Sequence, residues 1–119
     1  SKGYLWKVNP QFSLYRIQNS PRPEIQKPEL VLEKNGYVAE TTIAPNGKYL
    51  TFTGDFEGDI EIYRADLDGK NIKRLTQEEG YDGGPFVSWD SKKIVYRRDT
   101  LDSEEKRADY RRLHAENLV

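Results

Sequence analysis

Ile43-Ala44-Pro45-Asn46-Gly47-Lys48-Tyr49-Leu50-Thr51-Phe52 recurs forty-four positions later as Val87-Ser88-Trp89-Asp90-Ser91-Lys92-Lys93-Ile94-Val95-Tyr96. Each copy is preceded by a Gly-Tyr pair, Gly36-Tyr37 in the first and Gly80-Tyr81 in the second. The match runs without a gap across a turn and the two apolar-alternating segments beside it. A fixed period of this length means that one supersecondary unit is repeated, and such a unit buries its apolar face only against neighbours.

Outward from the repeat, the chain reads as a series of short strands. Thr41-Thr42-Ile43 forms a strand, Pro45-Asn46-Gly47 reverses it, and Lys48 to Thr53 returns antiparallel. Ile60 to Ala65 alternates as a third strand, Asp66-Leu67-Asp68-Gly69 turns it, and Asn71 to Thr76 makes a fourth. Residues of about 41 to 76 are thus one four-stranded antiparallel meander. The pattern restarts with Phe86-Val87-Ser88, a turn at Trp89-Asp90-Ser91, and a strand from Lys92 to Arg97. This second turn lacks both the Pro and the Gly of the first, and is expected to be less tightly specified.

Toward the amino end, Gly3 to Val8 reads as a strand closing at Asn9-Pro10, and Phe12 to Ile17 extends or restarts it. Pro21, Pro23 and Pro28 mark a loop, since proline removes a ladder donor and breaks helices. Glu29 to Glu33 is strand-like and runs into the Asn35-Gly36 turn. Toward the carboxyl end, Thr100 to Asn117 contains neither Gly nor Pro and opens with Asp102-Ser103-Glu104-Glu105, the pattern of a capped helix start. A helix is expected there, with an apolar face so thin that it must lean on the sheet.

The chain has 119 residues, room for one small domain. It is 35% hydrophobic and 33% charged, and its two Trp, eight Tyr and four Phe exceed what a disordered chain carries. Nineteen basic against twenty acidic residues give a net charge of −1, so no overall field favours nucleic acid or anionic membrane. No apolar run approaches the roughly 20 residues that span a bilayer, and no signal-peptide pattern is read. A soluble chain with no nucleic-acid partner and no membrane insertion is expected. Cysteine is absent, which excludes disulfides and zinc-thiolate sites. Methionine is also absent, and the chain is read as a piece of a longer protein.

Ala44-Pro45-Asn46-Gly47-Lys48-Tyr49-Leu50-Thr51-Phe52, Asp59-Ile60-Glu61-Ile62-Tyr63-Arg64, Asp66-Leu67-Asp68-Gly69, Lys73-Arg74-Leu75-Thr76 and Gly80-Tyr81-Asp82-Gly83-Gly84-Pro85 together resemble the blade of TolB-like β-propellers. That family's pattern is a Ser-Pro-Asp-Gly-Lys turn, an aliphatic-aromatic strand, an Ile-Tyr strand, an Asp-Gly turn and an Arg-Leu-Thr strand. The resemblance covers about residues 29 to 98 and implies an all-β fold of four-stranded antiparallel blades. Residues 1–40 are then the closing strands of one blade with the Pro-rich loop, 41–79 a complete blade, 80–98 the opening strands of the next, and 99–119 an inserted helix and the start of a further strand. Leu5-Trp6 is matched with Ile62-Tyr63 at a spacing of 57, thirteen more than the repeat, with the excess assigned to the Pro-rich loop. One complete blade and two half blades do not close a propeller of about six, so the missing blades come from the same polypeptide or from other copies.

The resemblance implies a non-enzymatic scaffold for a protein partner, periplasmic or extracellular, with Tyr37, Glu40, Tyr81 and Asp82 at the channel rim as partner-binding residues. The competing class is the propeller of a prolyl-oligopeptidase-like serine peptidase or of an oligogalacturonate-lyase-like enzyme. No catalytic residue, metal or cofactor is assigned. The serines lack a Gly-x-Ser-x-Gly elbow, and Asp66 to Asn71 lacks the distal bidentate Glu of a calcium loop, so it reads as a side-chain-stabilised turn. His114, the single histidine, reads as a surface helix residue. Trp6 and Trp89 read as core or inter-blade contacts, and the arginines from Arg97 to Arg112 as a salt-bridged exposed helix.

Overall fold

The computed structural model describes residues 5–19 and 27–119. The Pro-rich loop at Pro21 and Pro23 and the start of the Gly3 to Val8 segment lie outside them. The described chain is mostly antiparallel sheet with one helix. Strands β1 (Leu14–Arg16) and β2 (Glu29–Leu32) pair as one sheet. Strands β3 (Tyr37–Ile43), β4 (Leu50–Asp55), β5 (Glu61–Ala65) and β6 (Lys73–Arg74) form a four-stranded meander in chain order. Strands β7 (Asp82–Val87) and β8 (Ile94–Arg98) pair as a third sheet, followed by helix α1 (Glu104–Ala115).

The two copies of the repeat have one conformation. In the first hairpin Val38 faces Gly54, Thr42 faces Thr51 and Ile43 faces Leu50. In the second, Asp82 faces Arg98, Phe86 faces Val95 and Val87 faces Ile94, the same pairs displaced by the repeat. Both opening strands carry a register shift at the same place, between Ala39 and Thr42 and between Gly83 and Phe86. The turns also agree, although Pro and Gly are missing from the second. Gly47 N–H donates to Ala44 O at 2.8 Å, and Ser91 N–H donates to Ser88 O at 2.8 Å. Ser91 takes the left-handed φ of 61° that Gly47 takes at 70°. Side chains replace the missing turn chemistry: Asp90 Oδ1 accepts from Ser88 Oγ at 2.6 Å and from Lys92 N at 3.0 Å. The expected loosening of this turn is therefore corrected, since an Asx-type turn holds it.

The strand paired with β2 is Leu14-Tyr15-Arg16, in place of the expected Leu5-Trp6. Tyr15 faces Leu30 and Arg16 faces Glu29, as Tyr63 faces Arg74 and Arg64 faces Lys73. Trp6 instead exchanges backbone hydrogen bonds with Val119 at 3.0 and 3.1 Å, and Lys7 bridges Leu118. Two aromatic-bearing segments competed for one place, and the match of Leu-Tyr-Arg to Ile-Tyr-Arg identifies the one that fits.

Each face of the four-stranded sheet meets a different neighbour. Leu50, Phe52, Tyr63 and Ala65 point one way and pack with Val38 of β3 and with Leu32 of the preceding sheet. The Phe52 and Tyr63 rings stack at 5.5 Å. On the opposite face, Thr51 and Thr53 are fully buried, and Thr42 Oγ1 donates to Pro85 O of β7 at 3.1 Å. At the end of β7, Val87 packs with Ala44 and Tyr49. The Asp66 to Asn71 turn is held by its own side chains, with Asn71 Nδ2 donating to Asp66 Oδ2 at 2.6 Å. Its Gly69 has φ 85°, and a Cβ there would lie 2.0 Å from Val31 O, so only glycine lets the turn touch β2.

Among the described residues two charges are buried, and each is paired. Glu61 bonds Arg74 at 2.9 Å and also accepts from the Thr76 hydroxyl. Asp82 receives both Nε and Nη2 of Arg98 at 3.1 and 2.9 Å. The Arg-Leu-Thr segment thus neutralises a carboxylate two strand positions away, because an unpaired buried charge is strongly destabilising.

Phe52→Ala is expected to cost about 3–5 kcal/mol in urea unfolding, since it opens a cavity under a fully buried ring, while exposed Lys48→Ala stays within about 0.5 kcal/mol. Tyr63→Phe is expected to leave stability unchanged or to raise it, because the buried Tyr63 hydroxyl has no protein hydrogen-bond partner. A loss above about 1 kcal/mol for Tyr63→Phe contradicts this packing.

Candidate functional site

The register shift in β3 places Glu40 in a left-handed conformation, φ 53°, where a residue with a Cβ is strained. The equivalent position in β7 is Gly84, φ 63°, which adopts that backbone without strain. The strained Glu40 directs its carboxylate between the two units. Its Oε2 accepts from Thr53 Oγ1 at 2.7 Å, Gly84 N at 2.7 Å and Tyr81 Oη at 3.1 Å. Its Oε1 accepts from Arg97 Nη2 at 3.2 Å. Left-handed strain costs about 1–2 kcal/mol, and hydrogen bonds to a charged group return about 1.5–3 kcal/mol each, so the ties outweigh the strain.

Glu40 and Tyr81, both read from the sequence as rim residues, are therefore joined directly. Tyr37 lies close by, packed with Val8 and Ile60 in a cluster that Tyr81 also touches. Asp82 is turned into its pair with Arg98. Tyr37 and Asp82 are both buried, which leaves Glu40 and Tyr81 as the partly accessible members. Burial and the Glu40 charge raise the Tyr81 hydroxyl above its ordinary pKa, and the same two causes raise Tyr37. Both phenols are neutral hydrogen-bonding groups at pH 7.

Tyr81 and Arg97 also form one wall of a cleft of about 630 Å³. Trp6 and Leu5 stand on another side, and Leu101, Lys106, Tyr110 and Leu113 come from helix α1 and its approach. The lining combines aromatic and aliphatic area with Arg97, Lys106, Asp99 and Asp109 around it. Apolar walls with a few oriented polar groups suit capture of a side chain or a small organic group. Among the described residues no group of three or more His, Cys, Asp or Glu converges as a metal site.

Helix α1 forms its wall because three of its residues hook the first unit. Ser103 caps the helix by accepting from Lys106 N at 3.2 Å, so it begins at Glu104, later than Thr100. The Tyr110 hydroxyl donates to Asp59, Arg111 pairs with Glu79 at 2.7 Å, and His114 Nε2 lies 2.8 Å from Asp55 Oδ2. Asp59 is held in turn by Ile60 N at 2.8 Å and Gly80 N at 2.9 Å. His114 is thus a docking residue, correcting its reading as a surface one; its ring also stacks on Tyr110 at 5.6 Å. The hydrogen bond to Asp55 holds the His114 pKa above 6.5 against the opposing effect of burial.

Of the two tryptophans expected as core or inter-blade contacts, Trp6 lines the cleft, and Trp89 sits at the tip of the second turn, 92% exposed, outside the core of the described residues. Arg97 and Arg98 bond β-strand carboxylates, while Lys106, Arg107 and Arg112 make the helix pairs expected of a salt-bridged surface. Among the described residues no helix is long and apolar enough to cross a membrane. The sequence reading missed Arg97, Tyr110 and Asp59. One signal was present, because position 40 is Glu where the second copy has Gly84.

Glu40→Ala is expected to lose about 2 kcal/mol, from orphaned donors in a strained backbone, and Glu40→Gly to recover about 1 kcal/mol of that. Chemical denaturation of the three proteins checks this order, and Ala at or above Gly contradicts it. Because the folded pKa of His114 is raised, its contribution is complete below the unfolded value of about 6.5 and is lost as pH rises through the folded value. The stability gap between the unaltered chain and His114→Gln is expected to shrink from pH 6 to pH 9; a constant gap contradicts the Asp55 pairing. No protein-family model matches this chain, and no curated protein matches it.

Proposed function

We propose that this chain is part of a TolB-like β-propeller that acts as a non-enzymatic protein-interaction scaffold of the bacterial cell envelope. The observation that carries the architectural half is the recurrence of one hairpin with the same register, turn and bulge after forty-four residues. Each recurrence lies face to face with the sheet before it, as radial sheets do. The cleft beside Tyr81 carries the binding half of the proposal. Neutral tyrosines, Trp6 and arginine are the residue types that dominate protein-recognition hot spots, and Glu40 fixes Tyr81 and Arg97 in place before a partner arrives, which lowers the ordering cost of binding. The envelope location rests on the family resemblance alone.

Peptides selected from a random display library on the folded chain test the binding half. The expected result is peptides with an aromatic or large aliphatic anchor whose titration shifts the amide signals of Tyr81, Leu101 and Leu113. Trp6→Ala is expected to weaken them by about 2 kcal/mol, roughly thirty-fold. Binding that maps elsewhere and ignores Trp6→Ala overturns the assignment.

A further inference from the structure

Both ends of this chain present surfaces that are covered in its middle. The Leu50, Phe52 and Tyr63 face of the four-stranded sheet is covered by Leu32 of β2, and its Thr42 and Thr51 face by β7. Phe86 and Val95 stand where the first unit has Thr42 and Thr51, yet they are 65% and 70% exposed. Tyr15 and Leu30 stand where that unit has Tyr63 and Arg74, and they are 56% and 50% exposed, with Ile17 beside them at 64%. The edges are open in the same way. Strand β4 is joined to β5 with Phe52 opposite Tyr63, whereas among the described residues β8 pairs only with β7 and β1 only with β2.

We infer that a second copy of this chain supplies the missing strand. The free edge of β1 in one copy pairs antiparallel with the free edge of β8 in the other, giving a sheet in the order β7-β8-β1-β2 that reproduces β3-β4-β5-β6. The β4–β5 register carries over to the junction as Tyr96 opposite Tyr15 and Val95 opposite Arg16. The same placement lays Phe86 and Val95 against the four-stranded sheet of the second copy, which already covers β2 through Leu32 from that side. It also lays Tyr15, Ile17 and Leu30 against the four-stranded sheet of the first copy, on which β7 already sits. One operation therefore pairs both edges and withdraws five apolar side chains from water. The contact is head to tail, and two sheets per copy make a closed propeller of about two to four copies.

The chain has no cysteine, so single variants Tyr15→Cys and Tyr96→Cys report the junction cleanly. Mixed under mild oxidation, they are expected to form a disulfide-linked dimer about ten-fold faster than either alone, because the junction raises their effective concentration. Ile17→Cys mixed with Tyr96→Cys is out of register and is expected to link more slowly than Tyr15→Cys. Sedimentation of the unaltered chain is expected to show a concentration-dependent oligomer. Linking no faster in the mixture, or a compact monomer at every concentration, overturns the inference. It rests on the propeller reading for its sheet order, and the two fail separately. A monomer that still binds cleft-directed peptides sinks only the junction, and a linked dimer without such binding sinks only the scaffold role.

Discussion

A strained glutamate joins the two halves of this chain. Glu40 occupies backbone space that its counterpart, Gly84, enters freely, and its carboxylate gathers donors from its own sheet and from the next. The strain and the ties belong together: only at the bulge does the side chain leave the sheet face in the direction of Tyr81 and Arg97. Strain of this kind persists where surrounding structure over-determines it, and it concentrates at functional positions. The candidate cleft depends on it, since Tyr81 and Arg97 are also cleft walls.

A second constraint follows from the sheets themselves. A twisted sheet with one apolar face and one threonine-rich face does not hide both by itself, and each unit here borrows cover from the next. Leu32 closes one side of the central sheet and β7 closes the other. Where polar groups are trapped between units they come as complete sets, Glu61 with Arg74 and Thr76, and Asp82 with Arg98. These sets fix orientation more than they add stability, because desolvation offsets much of the attraction of a buried ion pair.

Much of the sheet was legible because strand and turn chemistry is local. Pro45-Asn46-Gly47 and Asp66 to Gly69 announced their reversals, and the alternation from Ile60 to Ala65 announced a strand, which the neighbouring sheets bury on both faces. The second turn was misjudged from its missing Pro and Gly, since Asp90 and Ser88 side-chain bonds are an alternative that composition alone does not rank. The partner of β2 is misassigned for a different reason: Leu5-Trp6 and Leu14-Tyr15 both alternate, and only the register opposite Glu29 and Leu30 decides between them. The site was half legible. Gly-Tyr at both repeats located Tyr37 and Tyr81, but burial of Tyr37 and the reach of Tyr110 to Asp59 across fifty-one positions are tertiary facts.

The docked helix adds a wall to the candidate cleft beyond the sheet while tying itself to the loop from Asp55 to Asp59 through Tyr110 and His114. The Glu40 ties and the cleft both require that the two hairpins share one register, and that requirement is directly measurable. Inter-strand nuclear Overhauser contacts on isotopically labelled protein should pair Ile43 with Leu50 and Thr42 with Thr51, and in the second hairpin Val87 with Ile94 and Phe86 with Val95. A second hairpin slipped by one residue, pairing Val87 with Val95, contradicts the account, because it turns one strand over relative to the other and so breaks either the packing of Val87 on Tyr49 or the reach of Arg97 to Glu40.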